Sequence, residues 1–467
     1  MTAQRVGAVV LAAGKGTRFK SDRAKVLHQA CGRSVLRWVL EALWPVGLSR
    51  VAVVVGHQGD DVAAEAAAAG LAGLVTVTQR EQLGTGHAAR VALDSGALDG
   101  CDTVVVASGD CPLLTPGSLQ ALLDEHAAAD RAATLLTARL EDPSGYGRVV
   151  RGDDGQVTRV VEDRDAEPAT RAIDEVNAGV YAFARQSLAA QLAQLSADTA
   201  QGEQYLTDVI EPLVDKGVGA VVGDAAVLQG VNDRAQLADA ATALRARLLR
   251  ALMRDGVTVI DPAATYVDAG VTVAAEATLQ PGTLLEGATH VGAGAEIGPH
   301  SHLTDTVVAE GASVHSSRCH GADIGPHVSV GPHSFLRPGA RLAAHAEVGS
   351  FCEVKASDIG EGAKVAHLSY VGDATIGAQA NVGAATVTVN YDGFAKHRTE
   401  IGPRARVGSD TMLVAPVRVG ADAYTGAGSV ITHDVPDGAL AVERNEQATK
   451  PGYAERKRAR AQRREGG

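Results

Sequence analysis

Aromatic side chains make up only 3% of this chain, which excludes a core filled mainly by rings. Cysteine is scarce too: Cys31, Cys101, Cys111, Cys319 and Cys352 are scattered and form no CxxC pair. That spacing excludes a disulfide framework and a cysteine zinc site, and points to a reducing, cytoplasmic setting. Positive charge is not in excess. The net charge of −12 disfavours nucleic acid and anionic membranes as partners, though it allows a locally basic pocket. No apolar run approaches the roughly 18 residues of a membrane span. The first residues lack the basic-then-apolar pattern of a signal peptide. What the chain does have is glycine, 53 residues of it, and a length that predicts two or three domains.

The first half is organised around Leu11–Lys25, LAAGKGTRFKSDRAK, which follows an apolar run at Val6–Val10. Small residues and two glycines let a backbone turn tightly against a ligand. Lys15, Arg18 and Lys25 surround that turn with positive charge. Backbone N–H groups of such a turn, together with the start of the following helix, suit phosphate oxygens. The GxxxxGK[ST] spacing of a P-loop is absent. Glycines alone are equally served by an ordinary β-to-α turn, so the hypothesis of a nucleoside triphosphate site rests on the charges. Runs at Val51–Val55, Val75–Thr78 and Thr103–Ala107 read as further strands. Helical patterns at Val35–Leu43, Asp60–Ala69, His87–Leu93 and Ser118–Ala129 separate them. The alternation predicts a parallel sheet with helices on both faces. Ligands of such sheets bind beyond the carboxyl ends of strands, where Gln79–Gly86 and Ser108–Leu113 also fall. Asp110 there is a candidate Mg²⁺ ligand, although an Asp before Pro112 is equally a turn former.

Asp233–Arg254 reads as a linker helix with Leu237, Ala241, Leu244, Leu248 and Leu252 on one face, capped by Asn232 or Asp233. From Val273 the chain becomes a repeat. Val273, Leu279, Leu285, Val291, Ile297 and Leu303 are each six apart, and after a break Ile324, Val330, Leu336, Leu342, Val348 and Val354 keep the step. Further sets start at Ile359, Ile376 and Ile401. An apolar residue every six with glycine after many of them is the hexapeptide β-helix signature, with glycine expected to serve turns at positive φ. The pattern does not give the handedness. It fails between Val382 and Ile401, which predicts an inserted loop holding Asn390, Tyr391 and Lys396. Residues one coil apart are stacked, so Arg337, Lys355 and Lys396 form a candidate phosphate site. An unperturbed imidazole titrates near neutral pH, which makes His367 a candidate general base, with Glu353 as its orienting partner if adjacent. The repeat holds many other histidines, and His367 is singled out by its neighbours.

Joined in this order, LAAGKGTR, KVLH, EQLGTGHA, GDCPLL, GYGR, the hexads, LRPGA, HLSYVGD, NYDG and VGSD-x-x-LVAPV closely resemble a known family. It is the bacterial bifunctional N-acetylglucosamine-1-phosphate uridyltransferase / glucosamine-1-phosphate acetyltransferase family. The resemblance covers nearly the whole chain. It implies an α/β Rossmann-like nucleotidyltransferase domain over 1–232, a linker helix over 233–254, and a left-handed parallel β-helix of hexapeptide repeats over 255–453. A basic tail over 454–467 reads as a disordered, solubilising terminus. The resemblance further implies Leu11, Ala12, Ala13, Gly14, Lys25, Gln79, Gly84 and Thr85 as nucleotide contacts. It implies Ser108, Gly109, Asp110, Gly147, Glu162 and Asn177 as sugar-nucleotide contacts, and Asp110 with Asn232 as the Mg²⁺ pair. Arg18 joins Lys25 in offsetting phosphate charge.

In the second half it implies His367 as the catalytic base, and Arg337, Lys355, Tyr370 and Asn381 as glucosamine-1-phosphate contacts beside Lys396. Ala384, Asn390, Tyr391, Ser409, Ala427 and Arg444 correspond to acetyl-CoA contacts. The implied co-substrates are acetyl-CoA and UTP, the implied assembly a homotrimer, and the product UDP-N-acetylglucosamine. Two departures stand out. Ala24 replaces the family's usual proline before the lysine, which predicts a less rigid Lys25 loop. Ser108 stands where an aromatic residue is familiar, which alters one face of the pocket. Two competing readings are a nucleotidyltransferase with a regulatory β-helix and a nucleotide sensor on a trimeric scaffold. The Arg337, Lys355, His367, Tyr370 and Lys396 constellation argues against the first, and pyrophosphate release from UTP and N-acetylglucosamine-1-phosphate discriminates the second.

Overall fold

A computed structural model describes residues 5–195, 203–444 and 446–465. The chain divides into two compact units between residues 250 and 251.

The first unit is an α/β sandwich of the Rossmann-like type. Its main elements are β1 (Val6–Leu11), α1 (Val35–Leu43), β2 (Arg50–Val55), α2 (Gly59–Ala68), β3 (Leu74–Thr78), α3 (Thr85–Asp94), β4 (Thr103–Ser108) and α4 (Pro116–Ala128). There follow β5 (Ala133–Arg139), β6 (Arg148–Arg151), β7 (Val157–Val161), β8 (Glu175–Ala184) and β9 (Val218–Val222). The sheet runs β9-β5-β8-β4-β1-β2-β3, parallel except for β8, which is antiparallel to β4 and β5. The apolar runs are continuous because both faces of the sheet are covered. Val10 and Val53 face a core shared with Leu36, Leu40 and Leu119. Val9, Val54 and Val106 face the opposite core with Ala89 and Phe183, as the two-residue period of a strand requires. Polar caps start the helices: the Ser34 hydroxyl accepts from Arg37 N–H at 3.0 Å, and Thr115 does the same for Ser118 at 3.1 Å.

One expectation changes here. β1 does not run into an α-helix. Gly16 and Lys20, both left-handed at φ 60° and 48°, confine the chain to a single 3₁₀ turn at Thr17–Phe19. A second such turn spans Lys25–Leu27. Helix α5 (Arg234–Arg254) is capped by Asp233, the second of the two predicted candidates. Asp233 Oδ1 accepts from Gln236 N–H at 2.9 Å, and Gln236 Oε1 accepts from Asn232 N–H at 2.7 Å. Ala240 and Leu244 are buried against Phe19, Ala30, Leu113 and Val231. Beyond Leu244 the buried position is Leu249, whereas Leu248 and Leu252 are half-buried.

The second unit is a three-sided coil of very short parallel strands. Among the described residues its three sheets hold eleven, ten and nine strands, each stacked on the strand one coil earlier. This architecture is consistent with the left-handed β-helix. Ile297 stacks on Val314, Leu303 on Cys319 and Val330 on Val348, steps of 17, 16 and 18 residues. The break expected after Leu303 is therefore no break. Val308, Val314 and Cys319 fill the interior positions, each fully buried, with shortened turns between them. Likewise Thr388 keeps the interior place between Val382 and Ile401 and stacks on Leu413, so the inserted loop shrinks to 390–398.

The interior is too narrow for rings. Thr283, Ser301, Ser317, Ser334, Cys352 and Ser369 form one buried corner column. Their polar atoms bond to backbone carbonyls, as Ser301 Oγ does to Val314 O at 2.9 Å. Glycine also has a second duty beside the expected one. At Gly325 and Gly349 a Cβ would lie 2.6 Å from Leu342 O and 2.0 Å from Ala366 O. Close approach of the next coil, rather than positive φ, excludes a side chain there. Positive φ is carried by other glycines, as expected, such as Gly298, Gly311 and Gly331, and also by several larger residues, including His333, Phe351 and Leu368. The basic tail is not frayed: Tyr453–Glu465 is a helix, built from the strong helix formers Ala, Arg, Lys, Gln and Glu. Residues 466–467 lie outside the described residues.

Leu336 is fully buried in the coil, whereas Val307 is 45% exposed on a strand of the same unit. Leu336→Ala should cost about 2–5 kcal/mol and Val307→Ala less than about 1 kcal/mol, measured by denaturant unfolding followed through the β-helix circular dichroism signal.

Candidate active sites

The first site lies at the carboxyl ends of β1, β2 and β4. Parallel register places Leu11 beside Val54 and Ser108. Gly109 N–H donates to Leu11 O at 2.9 Å and His57 N–H to Ala13 O at 3.3 Å, tying the three loops together. A cleft of about 530 Å³ opens there. Of the sequence-predicted residues, Leu11, Ala12, Ala13, Gly14, Lys25, Gln79, Gly84, Thr85, Ser108, Asp110 and Glu162 line it. Gln82 and Tyr205 line it too and were not singled out; Gln82 Nε2 donates to Ala13 O at 3.0 Å. Gly84 has φ 105°, and a Cβ on it would lie 2.6 Å from Gln204 O, so only glycine fits before α3.

Lys25 is the centre of this cleft's charge. Its ammonium ion-pairs with Asp110 Oδ2 and donates to Asn232 Oδ1 at 3.2 Å. Arg18 Nη2 donates to the same Asn232 oxygen at 2.9 Å. Burial pushes the Asp110 carboxyl up, but the Lys25 ammonium and hydrogen bonds from Lys25, Ser108 and Cys111 outweigh it and hold the group below the usual aspartate value. Burial raises the Glu162 carboxyl above its ordinary value, against a hydrogen bond from Thr207, whose hydroxyl lies 2.9 Å away. Gly147, Glu162 and Asn177 form one wall. Asn177 N–H donates to Gly147 O at 2.8 Å, and a Cβ on Gly147 would lie 3.5 Å from Glu162 Oε2. Asn177 sits where the β8–β5 register slips, and a bulge of that kind re-aims a side chain. Ser108 occupies the position expected to be aromatic.

A divalent cation fits the donor set. Asp110 and Asn232 present two oxygens to one point, where the Lys25 ammonium already demonstrates room for a cation. Mg²⁺ takes one or two protein oxygens and fills the rest of its shell with water and phosphate. Among the described residues, no cluster of three His, Cys, Asp or Glu offers a dedicated all-protein metal cage.

The second site lies on the β-helix. Arg337 and Lys355 are stacked one coil apart, with Arg337 N–H bonded to Val354 O at 2.8 Å. Gly372 pairs with Lys355 on the following coil. Lacking a side chain, Gly372 leaves room for Tyr370 and Asn390; a Cβ would lie 2.4 Å from Tyr370 Oη. Asp373, which sequence reasoning passed over although it ends the HLSYVGD motif, is the organiser. It accepts from Lys355 Nζ at 2.9 Å and from Asn390 Nδ2 at 2.6 Å. Lys396 approaches from the inserted loop, and the neighbouring Lys355 cation pushes its amine below the ordinary lysine value. One expectation fails here. Glu353 does not orient His367: its carboxylate accepts from Arg337 at 2.8 Å, because Glu353 stacks under Tyr370 whereas His367 stacks on Ser350 of the adjacent sheet. Asn381 is also on that other sheet, between Lys364 and Arg406, and does not join the cationic group within one chain.

His367 instead heads a different line. Val365 stacks on Val382, and Val382 on Val407. The residues two further on, His367, Ala384 and Ser409, therefore fall in one column, continued by Ala427 through the Arg406–Tyr424 pair. The backbone confirms the order, with Ala385 N–H on His367 O, Asp410 N–H on Ala384 O and Gly428 N–H on Ser409 O. Arg444 closes the line by donating to Ala427 O at 3.1 Å. At about 4.8 Å per coil the column spans roughly 14 Å. Tyr391 stays within its loop, its hydroxyl donating to Gly393 O at 2.7 Å.

A family model for the MobA-like NTP transferase domain matches residues 8–216. Several curated relatives match along almost the whole chain, each named "Bifunctional protein GlmU". That of Streptomyces coelicolor is 51% identical over 98% of this chain and 96% of its own length. The Thermobifida fusca protein is likewise 51% identical, with the same coverage. The Corynebacterium efficiens protein is 49% identical over 96% of this chain and 94% of its own length.

The charge geometry at Lys25 carries a pH signature. Asp110 has a lowered pKa when folded, so its contribution to stability is present above the usual aspartate range near 4 and is lost as pH falls through the folded value. Lys25→Met removes the ammonium and its hydrogen bond and leaves burial, the largest influence, opposed only by the bonds from Ser108 and Cys111, so the Asp110 pKa should move above that range and the sign of its contribution should reverse. Titration of the labelled carboxyl by NMR reads this directly.

Proposed function

The chain belongs to the bifunctional GlmU family and accordingly combines uridylyltransferase and acetyltransferase activity in UDP-N-acetylglucosamine synthesis, and we propose that the Lys25 cleft carries the first and the His367 column the second. The observation that supports this most is that one chain holds both a phosphate-sized cleft centred on Lys25, Asp110 and Asn232 and a line of small residues leading away from a histidine.

In the cleft, UTP would lie with its phosphates along Leu11–Lys25 and its base toward Gln79 and Gly84. The sugar would rest against the wall of Gly147, Glu162 and Asn177. An oxygen of the sugar phosphate attacks the α-phosphorus in line, the bond to the leaving pyrophosphate breaks, and UDP-N-acetylglucosamine forms. Arg18 and Lys25 hold the phosphates and offset the charge that gathers on them. Bound by Asp110 and Asn232, Mg²⁺ would supply further neutralisation of phosphate charge.

On the β-helix, Arg337, Lys355 and Lys396 would bind the phosphate of glucosamine-1-phosphate, relieving the repulsion between the two lysines. The pantetheine arm of acetyl-CoA would run along Ala384, Ser409 and Ala427, whose small side chains leave the lane open, with Arg444 at its far end. The substrate amine attacks the thioester carbonyl, His367 takes the amine proton as general base, and coenzyme A leaves. No cysteine takes part, since Cys352 is buried in the corner column, so the acetyl group passes directly between substrates. Because Asn381 faces out from another sheet, we assign its contact to a neighbouring copy in a homotrimer. Acetylation comes first, supplying the sugar phosphate that the cleft consumes, in the cytoplasm, where thiols stay reduced.

The test supplies glucosamine-1-phosphate, acetyl-CoA, UTP and Mg²⁺ and follows coenzyme A and pyrophosphate separately. His367→Ala should lower coenzyme A release by about 10²–10⁴-fold, and pyrophosphate release from added N-acetylglucosamine-1-phosphate should be unchanged. Asp110→Ala should do the reverse, with a loss of at least about 10²-fold. Wild-type acetyl transfer by His367→Ala would sink the second assignment.

A further inference from the structure

The Lys25 ammonium is fixed at its tip by Asp110 and Asn232, but its backbone must also be held. The loop before it makes a sharp entry: Ala24 has φ −54° and ψ 137°, and Lys25 then begins a 3₁₀ turn closed by Leu27 N–H on Ala24 O at 3.0 Å. Ala24 is 1% exposed. A buried amide N–H needs a partner, and among the described residues no main-chain carbonyl supplies one. The partner is a side chain from a different loop. Gln58 Oε1 accepts from Ala24 N–H, and Gln58 Nε2 donates to Asp22 O. One primary amide thus bridges both sides of Arg23 and clamps the segment immediately before Lys25.

Gln58 is itself held in place. It occupies the left-handed region at φ 50°, ψ 42° at the start of α2, a conformation other than glycine adopts rarely. Its carbonyl accepts from Val62 N–H at 3.2 Å. The residue before it, His57, bonds to Ala13 of the phosphate turn. The β2–α2 connection therefore links the Leu11 turn to the Lys25 loop from behind, without lining the cleft.

We propose that Gln58 is a positioning residue for uridylyl transfer, acting through Lys25 by satisfying the Ala24 amide and fixing the Asp22–Ala24 backbone. It does for this loop what a proline at position 24 does covalently: proline has no N–H to satisfy, and its fixed φ near −65° fits Ala24. The loop expected to be looser for want of a proline is thus tied by a side chain instead. This rests on the assignment of uridylyl transfer to the Lys25 cleft.

The test is a double-mutant cycle on the full-length enzyme, reading pyrophosphate release, with coenzyme A release as an internal control on the other site. Gln58→Ala should lower kcat for pyrophosphate release about tenfold and leave acetyl transfer unchanged. In a Lys25→Ala background the same substitution should cost less than about twofold, because the group it positions is gone. Ala24→Pro added to Gln58→Ala should restore the rate to within about twofold of wild type. A merely structural role would give losses that add in the Lys25→Ala background, and that result overturns the proposal. So does a wild-type rate for Gln58→Ala, or no rescue by Ala24→Pro. Absence of pyrophosphate release from the wild-type enzyme would instead refute the assignment of the reaction itself.

Discussion

Parallel strand pairing is the constraint on which both units depend. In a parallel ladder neighbouring strands end at the same side, so the residues that follow them emerge together. In the first unit this brings Leu11, Val54 and Ser108 level, and three loops distant in sequence meet over one cleft. In the second, the same rule repeats at every coil, and a position in one turn is stacked on its counterpart in the next. Function then follows from which residue types are placed at the aligned positions: charges and small residues at strand ends in one case, a histidine and three small residues in a column in the other.

The same pairing explains the composition. A coil whose corners are filled by Ser, Thr, Ala and Cys, with their hydroxyls and thiol turned onto backbone carbonyls, has no volume for a ring. Each strand contributes one interior side chain, and that side chain is aliphatic or small. The many glycines mark places where one coil presses on the next or where a turn needs positive φ. Scarcity of aromatics and abundance of glycine are therefore two readings of one cross-section.

The order of elements was legible because it rests on local periodicity. Strand runs such as Val51–Val55 and the hexads each announce themselves within a few residues. The apparent break after Leu303 misled because period six was taken as rigid; the fold tolerates five-residue steps when a turn loses one residue, and Cys319 is as good an interior group as valine. The sites were legible in kind but not in detail. Asp110 and Asn232 are far apart in the chain, and no pattern in either stretch says that one ammonium joins them; the family resemblance supplied that pairing. Asp373 was missed because a carboxylate beside lysines reads as a solvated turn residue until its partners are seen. Glu353 lies about one coil before His367, but the corner between two sheets separates them. Gln58 gave no signal at all, since its task is defined by a backbone amide in another loop.

The two cationic centres differ in how their charge is compensated, and that difference bears on what each can bind. Lys25 already has a carboxylate and an amide oxygen, so its position is set before any phosphate arrives. Its side chain is only 14% exposed, where Coulomb attraction is less screened than at the surface. In the second centre Lys355 is nearly as covered as Lys25, whereas Arg337 and Lys396 are open to solvent; Arg337 holds Glu353 and Lys355 holds Asp373. Lys396 is left facing Lys355, a repulsion that an anion placed between them removes. On the proposed assignment the first centre is thus preorganised for a charge that develops during reaction, and the second for a charge the substrate already carries. Such a division suits a chain in which one site must stabilise phosphoryl transfer while the other needs only to hold a phosphate still and leave the chemistry to an amine, a thioester and a base.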